Sequence, residues 1–177
     1  MRFFPKHLLS ELAGKAQASE RRRAHLTLHS GPQDPVQRFF VTAVEGTYFR
    51  PHRHAAKAEL AIVLEGEMDL LTFDEQGTVI ERTRVGSGAE HFGFETPAGT
   101  WHTLIVVTPT ASFLEVKQGP YDPVTASEFA PWAPPEGSTD AAAFIARLSS
   151  AAKGTKVAQA NPGVPEVEAG SRAGRMA

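Results

Sequence analysis

The stretch that decides the fold covers residues 46–66 and reads GTYFRPHRHAAKAELAIVLEG. His52 and His54 lie two residues apart in a segment of extended character, and so their side chains should leave the same face of a strand. Glu59 follows after four residues and opens a second run of strand character. The stretch therefore predicts two strands, joined by a turn, that carry two imidazoles and one carboxylate.

Outward from this stretch, apolar residues alternate with polar ones, and glycine, proline or aspartate falls between the runs. A period of two is typical of half-buried strands, and these turn residues supply the bends between them. Evenly spaced short strands without intervening helices predict a mainly all-β fold, either a sandwich or a closed antiparallel barrel. The predicted strands are 24–29, 36–44, 47–54, 59–64, 67–73, 78–85, 90–95, 101–108 and 112–117.

Helical spacing is confined to the two ends of the chain, with a helix predicted over 5–19 and a short one over 140–148. Residues 149–177 are rich in Ala, Gly and Pro, and they predict a disordered tail because few large apolar side chains offset the entropy of ordering. The expected organisation is an N-terminal helix and strand packed on the barrel (1–30), the barrel with a C-terminal cover segment (31–137), and the short helix with the disordered tail (138–177).

The composition excludes several classes of site. The 177 residues include seven histidines and no cysteine, which excludes disulfides, thiolate zinc sites, iron–sulfur clusters and cysteine nucleophiles. A formal net charge of -2 argues against a nucleic-acid partner, and the basic run 21–23 is interpreted as a solvated turn, or alternatively as a clamp on an anionic group. No apolar stretch of the length of a signal peptide or membrane span is present, so we expect a cytoplasmic protein without a membrane span.

A third histidine, His102, begins another predicted strand directly after a Pro-Ala-Gly turn. Side chains from separate strands can converge inside a small barrel, because each strand directs alternate residues inward. Imidazole and carboxylate together suit a divalent Fe, Mn, Ni, Co or Zn ion. Each histidine alone would be interpreted as a surface residue, whereas the set predicts one bound transition metal with four ligands: His52, His54, Glu59 and His102.

The spacing of these residues resembles the two cupin motifs. Residues 97–102 are similar to the core of the second motif, although His91 and Val106 replace its usual glycine and asparagine. The resemblance implies a single cupin-type antiparallel β-barrel, or jelly roll, with a bound metal. The first motif is matched at every position, by Gly46, His52, His54, Glu59 and Gly66.

A narrower resemblance covers roughly residues 8–137, which look like the WbuC-type cupin metalloproteins. It implies similarity to proteins of bacterial surface-polysaccharide (O-antigen) gene clusters, and it implies no particular reaction. The segments that carry it are 34–39, 46–54, 101–103, 115–123 and 129–134.

Strand parity extends the predicted pocket beyond the metal ligands. Residues two apart share a face, so Tyr48 and Arg50 should accompany the histidines into the barrel while Phe49 points outward. Arg50 is a candidate clamp for a ligand carboxylate or phosphate, or alternatively a buried partner of Glu115. Tyr48 is expected to fill the barrel with its hydroxyl satisfied.

The remaining pocket candidates belong to the family-like segments. Arg38, Lys117 and Tyr121 are placed at the pocket mouth, and Lys117 is also expected to pair with Glu115 two residues earlier on the same strand face. The segment 129–134 is expected to fold back over the barrel as an apolar cover.

The predicted site supports several functions for a small-molecule ligand. The first is a metal-dependent enzyme acting on a small polar molecule such as a sugar or sugar nucleotide, as an isomerase or epimerase. Alternatives are a non-catalytic sugar-binding module, an Fe-dependent oxygenase of a small organic acid, and a purely structural metal site. No catalytic base is assigned, and the N-terminal helix and strand edges offer surfaces for a homodimer.

Overall fold

The computed structural model describes residues 1–158, which form ten strands and two helices. Neither helix in this part of the chain has the length and apolarity that crossing a membrane requires. The elements in chain order are α1 (His7–Ala18), β1 (Arg23–Thr27), β2 (Val36–Val44), β3 (His52–Arg53), β4 (Glu59–Glu65), β5 (Glu67–Phe73), β6 (Val79–Gly86), β7 (Gly93–Thr96), β8 (Trp101–Val106), β9 (Thr110–Gln118), β10 (Glu128–Phe129) and α2 (Ala141–Ser150).

The strands form two antiparallel five-stranded sheets. The first sheet has the order β1-β2-β9-β4-β7 and the second has the order β10-β3-β8-β5-β6. Alternate side chains of both sheets meet in one inner core, because successive residues of a strand point to opposite faces. This arrangement confirms the predicted mainly all-β barrel. The inner core includes Val41, Ala61, Val63, Met68, Leu104, Val106 and Phe113.

The turn between β4 and β5 needs the glycine that the first motif places there. Gly66 adopts a φ of 72°, a left-handed conformation that residues with a Cβ rarely adopt. A Cβ at this position would also collide with the backbone carbonyl oxygen of Thr110, at the start of β9. Gly66 thus lets the β4–β5 hairpin pack closely against the neighbouring strand.

A second core lies on the outer face of the second sheet. The cover segment 129–134 folds back there, as expected, with Trp132 packed 5.1 Å from Phe73 between ring centroids. Helix α2 closes this core with one apolar stripe, in which Phe144 and Leu148 are fully buried. The C-terminal part of the described chain therefore belongs to the folded unit.

The prediction of disorder from residue 149 is wrong for residues 149–158. Ala151 and Val157 are buried, and the backbone N–H of Val79 donates to the carbonyl of Thr155 at 2.9 Å. The composition of the segment suggested too little apolar surface, but the face of α2 supplies the surface on which these residues pack. Residues 159–177, to which the same prediction applies, lie outside the described residues.

The predicted strand 47–54 is also wrong over most of its length, since only β3 is regular. Pro51 has no N–H to donate to a strand ladder, and its carbonyl accepts from Ala130 N–H in the cover segment at 2.9 Å. The carbonyl of Phe49 accepts instead from the hydroxyl of Thr103. Because these backbone groups bond outside a ladder, the parity of an extended strand does not hold across the segment.

Candidate metal centre

Three histidines converge inside the barrel. His52 on β3 pairs directly with His102 on β8, and His54 lies just beyond the end of β3. The potential ligand nitrogens of the three rings all lie within 4.8 Å of one another. His54 and His102 are buried and His52 is half-buried, so the cluster is shielded from water.

Backbone carbonyls fix the tautomer of all three rings. A carbonyl oxygen can only accept a hydrogen bond, so the Nδ1 that faces it must carry the proton, which leaves Nε2 with a free lone pair. This arrangement is typical of histidines that bind a metal, since the second nitrogen orients the ring. The three Nδ1 contacts are His52 to Arg50 (2.9 Å), His54 to Ala126 (2.5 Å) and His102 to Thr100 (2.9 Å).

The free nitrogens lack the partners that a purely structural role would supply. Nε2 of His102 is buried and has no hydrogen-bond partner in the part of the chain that the structure describes. Nε2 of His54 lies 2.7 Å from Oε2 of Glu59, and both atoms are acceptors unless a proton lies between them. A divalent cation would satisfy all of these atoms, so the donor set fits the predicted metal.

Glu59 is held in place from the other side by a buried lysine. Nζ of Lys117 lies 3.3 Å from Oε2 of Glu59 and 2.6 Å from Oε1 of Glu115. Burial raises the pKa of the Glu59 carboxyl, but the close contact with His54 and the charge of Lys117 outweigh this and hold the pKa well below its usual range. Glu59 is therefore an anion, suitably charged for a metal ligand.

The pair of Glu115 and Lys117 confirms the expected contact within β9. Burial and the neighbouring charge of Glu59 raise the pKa of Glu115. Burial lowers the pKa of Lys117, yet the two carboxylates outweigh it and the net shift is upward. The site thus contains one fixed ammonium group shared between two carboxylates.

Burial also keeps two of the histidines neutral. Burial, together with the neighbouring His102, lowers the pKa of His52 to about 3. The pKa of His102 is lowered as well, chiefly by burial. Neutral imidazole is the form that binds a metal, so both rings are ready for coordination at neutral pH.

Two pocket predictions based on parity are wrong. Tyr48 packs in the outer core and donates its hydroxyl to the carbonyl of Pro134 at 3.0 Å, while Phe49 points into the inner core instead. Arg50 donates to the carbonyls of Ala133 (3.1 Å) and Ala130 (3.3 Å) and is therefore neither a ligand clamp nor a partner of Glu115. The cause is the irregular backbone before Pro51, because of which the side chains of Tyr48 and Phe49 point to the opposite sides from those predicted.

Two further candidates lie away from the histidines. Arg38 points to the outer face of the first sheet, opposite to Lys117, where it lies 3.6 Å from Asp34. Tyr121 is exposed, and its backbone N–H donates to the carbonyl of Pro32. Among the pocket candidates, Lys117 is the one whose side chain contacts a candidate metal ligand, Glu59.

Arg21 and Arg22 lie in an exposed turn, as the first interpretation of the basic run expected, and the run also has partners within the protein. Arg21 and Arg23 both bind the carboxylate of Glu136, at 2.8 Å and 2.6 Å, and so join the N-terminal part of the chain to the residues that follow the cover segment. Arg22 donates to the carbonyl of Glu45. All three arginines therefore have structural partners.

Sequence reasoning missed two groups that border the site. Thr96 pairs with Glu59 across β7 and β4 and shares its face, and its buried hydroxyl has no partner among residues 1–158. The predicted strand ended at residue 95, one position too early to include it. Ala126, whose carbonyl orients His54, lies in a loop, and no pattern in the sequence signals such a backbone contact.

A small cavity of about 200 Å³ opens toward Glu115 between β1 and the irregular segment before β3. Two phenylalanines contribute to its walls, and Glu115, which pairs with Lys117, also lines it. The lining residues include Arg23, His25, Phe39, Val41, Phe49 and Glu115.

The two sheets form a cupin-type fold, a double-stranded β-helix, with a histidine cluster between them. The family model of a domain of unknown function, DUF6016, matches residues 4–85, a range that includes Glu59 and two of the three histidines. No curated protein matches the sequence significantly.

Solved structures show the same fold at low sequence identity. A conserved protein with a double-stranded β-helix domain from Klebsiella pneumoniae is 16% identical, with 73% of this chain and 91% of that chain covered and a TM-score of 0.52. CapF, solved with the inhibitor 3-isopropenyl-tropolone, is 17% identical over 63% of this chain and 32% of its own, with a TM-score of 0.54. Recombinant oxalate oxidase, solved with glycolate, is 20% identical over 73% of this chain and 66% of its own, with a TM-score of 0.50. This chain therefore spans about a third of CapF and about two-thirds of oxalate oxidase, and the likeness shows the fold.

Proposed function

We propose that the protein binds one divalent transition metal through Nε2 of His52, His54 and His102, with the Glu59 carboxylate as the fourth ligand. The observation that carries the proposal is the buried Nε2 of His102, which has no protein partner within the described residues although its ring is oriented by the carbonyl of Thr100. Imidazole with carboxylate suits Fe, Mn, Ni, Co or Zn. The metal identity follows from measurement rather than from this donor set.

The metal would act as a Lewis acid at positions that the four protein ligands leave open. Near it the chain supplies an ammonium group, Lys117, and a carboxylate, Glu115, which also lines the small cavity. These groups suit a ligand that carries hydroxyl or carboxylate oxygens, because Lys117 donates and Glu115 accepts hydrogen bonds. A metal-dependent enzyme acting on a small polar molecule is the function that this arrangement supports best.

The finer assignment follows the resemblance of the sequence to WbuC-type proteins. It suggests a sugar or sugar nucleotide as the ligand, an isomerase or epimerase reaction in bacterial surface-polysaccharide biosynthesis, and a cytoplasmic location. A homodimer and the three-part organisation of the chain into residues 1–30, 31–137 and 138–177 belong to the same proposal. An Fe-dependent oxygenase of a small organic acid is the alternative enzyme at the same ligands.

One observation favours a non-catalytic binding module instead. Lys117 and Glu115 lie 2.6 Å apart and neutralise each other, and Lys117 also contacts Glu59. A general base needs a free lone pair within reach of the substrate proton. In this arrangement the groups near the histidines would hold a ligand without moving a proton.

Titration of metal-loaded protein with a panel of sugar nucleotides, sugar phosphates and small organic acids, followed calorimetrically, tests the proposal. We expect one panel class to bind the metal-loaded protein and to bind the metal-free protein at least about tenfold more weakly. Product analysis of the same mixtures then separates the enzyme from the binding module. Equal affinity for both forms of the protein would contradict a metal-dependent ligand site.

A further inference from the structure

A second concave surface lies on the outer face of the first sheet, on the side opposite to the histidines. It is a groove of about 730 Å³ between the start of α1 and the strands β2, β9 and β4, and we call it the helix groove. Its volume lies within the range of pockets that bind small molecules. Six apolar residues that form its walls are Phe4, Leu8, Phe40, Leu64, Leu114 and Val116.

The charges that line the helix groove are all positive in the part of the chain that the structure describes. Arg2 and Lys6 contribute from the N-terminal side and Arg38 from β2. The guanidinium of Arg2 lies 5.0 Å from the ring centroid of Phe4, so this cation borders the apolar wall. Asp34 lies 3.6 Å from Arg38, and the Arg38 side chain remains 44% exposed.

The apolar walls are incompletely covered by the protein itself. Phe4 packs edge-on against Phe40 at 4.9 Å between centroids and is nevertheless 44% exposed, and Leu64 is 39% exposed. Burial of such surface is favourable, and a ligand that supplies an aliphatic chain would gain it. A polar sugar would gain little from contact with these apolar walls. The helix groove therefore suits a different class of ligand from the barrel interior.

We propose that the helix groove binds a free anionic amphiphile, of which a straight-chain carboxylate is the simplest form. The aliphatic chain lies along the apolar walls, and the carboxylate meets the cations at the groove edge, because charge-assisted hydrogen bonds to a carboxylate are strong and directional. Because the charged residues that line the groove are positive, they favour an anionic ligand. The site is independent of the metal centre, with which it shares no residue.

Isothermal titration calorimetry with decanoate and with decanol, on the full-length chain, tests this site. We expect decanoate to bind once per chain and decanol to bind at least about tenfold more weakly, since it lacks the charge. Lys6→Glu and Arg38→Glu should each weaken decanoate about tenfold and leave decanol unchanged. Leu64→Asn should weaken both ligands, because it removes part of the apolar wall.

Two matched controls separate the groove from general changes in charge or surface. Lys15→Glu reverses a charge on helix α1, and Leu60→Asn removes a leucine as exposed as Leu64 (39%) from the same strand, yet neither residue lines the groove. Both variants should bind decanoate like the parent protein. The proposal would be overturned if decanol and decanoate bound with equal affinity, or if the control variants weakened decanoate binding as much as the groove variants do. The proposal would also be overturned if decanoate did not bind and sedimentation showed a dimer that Leu64→Asn dissociates. A second copy of the chain would then cover the groove.

Discussion

Nζ of Lys117 lies 3.3 Å from Oε2 of Glu59, the same carboxylate oxygen that faces Nε2 of His54 at 2.7 Å. One oxygen is thus shared between a fixed cation and a candidate metal ligand. Lys117 also binds Glu115, so a single ammonium group compensates two buried carboxylates. The stability of the barrel interior should therefore depend on this lysine.

Lys117→Met should lower the free energy of unfolding by roughly 3 kcal/mol, because it leaves two buried carboxylates without their cation. Urea denaturation of the metal-free protein measures the change. The double variant Lys117→Met/Glu115→Gln should recover part of the loss, since one of the two stranded charges is then removed. Exposed Lys153→Met serves as the control, and a Lys117→Met protein as stable as this control would contradict the role of Lys117.

Acid should destabilise the metal-free protein through its histidines. The pKa of His52 falls from 6.5 to about 3 on folding, so the unfolded chain binds more protons between these two values. The contribution of His52 is complete above pH 6.5 and is lost progressively as the pH falls toward 3. His102 acts in the same direction.

Urea midpoints of the metal-free protein, taken from neutral pH to about 4, measure this dependence. His52→Gln should flatten the decline, because glutamine takes up no proton in either state. His7→Gln, at an exposed position, should leave the decline unchanged. A parent protein of constant stability across this range would show that His52 is not held neutral by burial.

The second core predicts that two phenylalanines differ greatly in their contribution to the free energy of unfolding. Phe144→Ala should cost about 3–5 kcal/mol of unfolding free energy, since the fully buried ring packs against the cover segment and leaves a cavity. Phe92→Ala should change stability by less than about 0.5 kcal/mol, because Phe92 is 67% exposed. Chemical denaturation measures both, and similar values would mean that α2 contributes little to the fold.

The ion pairs between the basic run 21–23 and Glu136 predict that two arginines contribute unequally to the free energy of unfolding. The Arg23 side chain is only 13% exposed, and it also donates to the carbonyl of Tyr48 at 2.9 Å. Arg23→Gln should therefore cost about 1–2 kcal/mol. Arg21→Gln should cost less than about 1 kcal/mol, because Arg21 is 64% exposed and its ion pair is weakened by solvent. The opposite order in thermal or urea unfolding would contradict this assignment.

The histidine cluster could be predicted from the sequence because its signals are local in the chain. The motif spacing and the turns before Glu59 and His102 place His52, Glu59 and His102 on strands, and His54 follows directly after β3. The face of Tyr48 could not be predicted, since it depends on how the backbone before Pro51 bonds to distant segments. The rule that residues two apart share a face does not hold where the backbone is not part of a strand ladder.

The C-terminal part of the described chain shows the same limit. Residues 151–157 are poor in large side chains, and their order arises from contacts with β6 and α2 that no local pattern encodes. Composition underestimates order wherever a short segment uses an apolar face that another element provides. The hydrogen bond from His54 to Ala126 is likewise a long-range contact between loops.

Metal stoichiometry tests the central claim most directly. Protein stripped with a chelator and reloaded separately with Mn, Fe, Co, Ni or Zn should retain one equivalent per chain of at least one of these metals after gel filtration, as measured by mass spectrometry. His102→Gln, verified as folded by circular dichroism, should lose that equivalent, whereas His25→Gln should keep it because His25 lies outside the cluster. A folded parent protein that retains none of these metals, or a His102→Gln variant that binds as the parent does, would contradict the account.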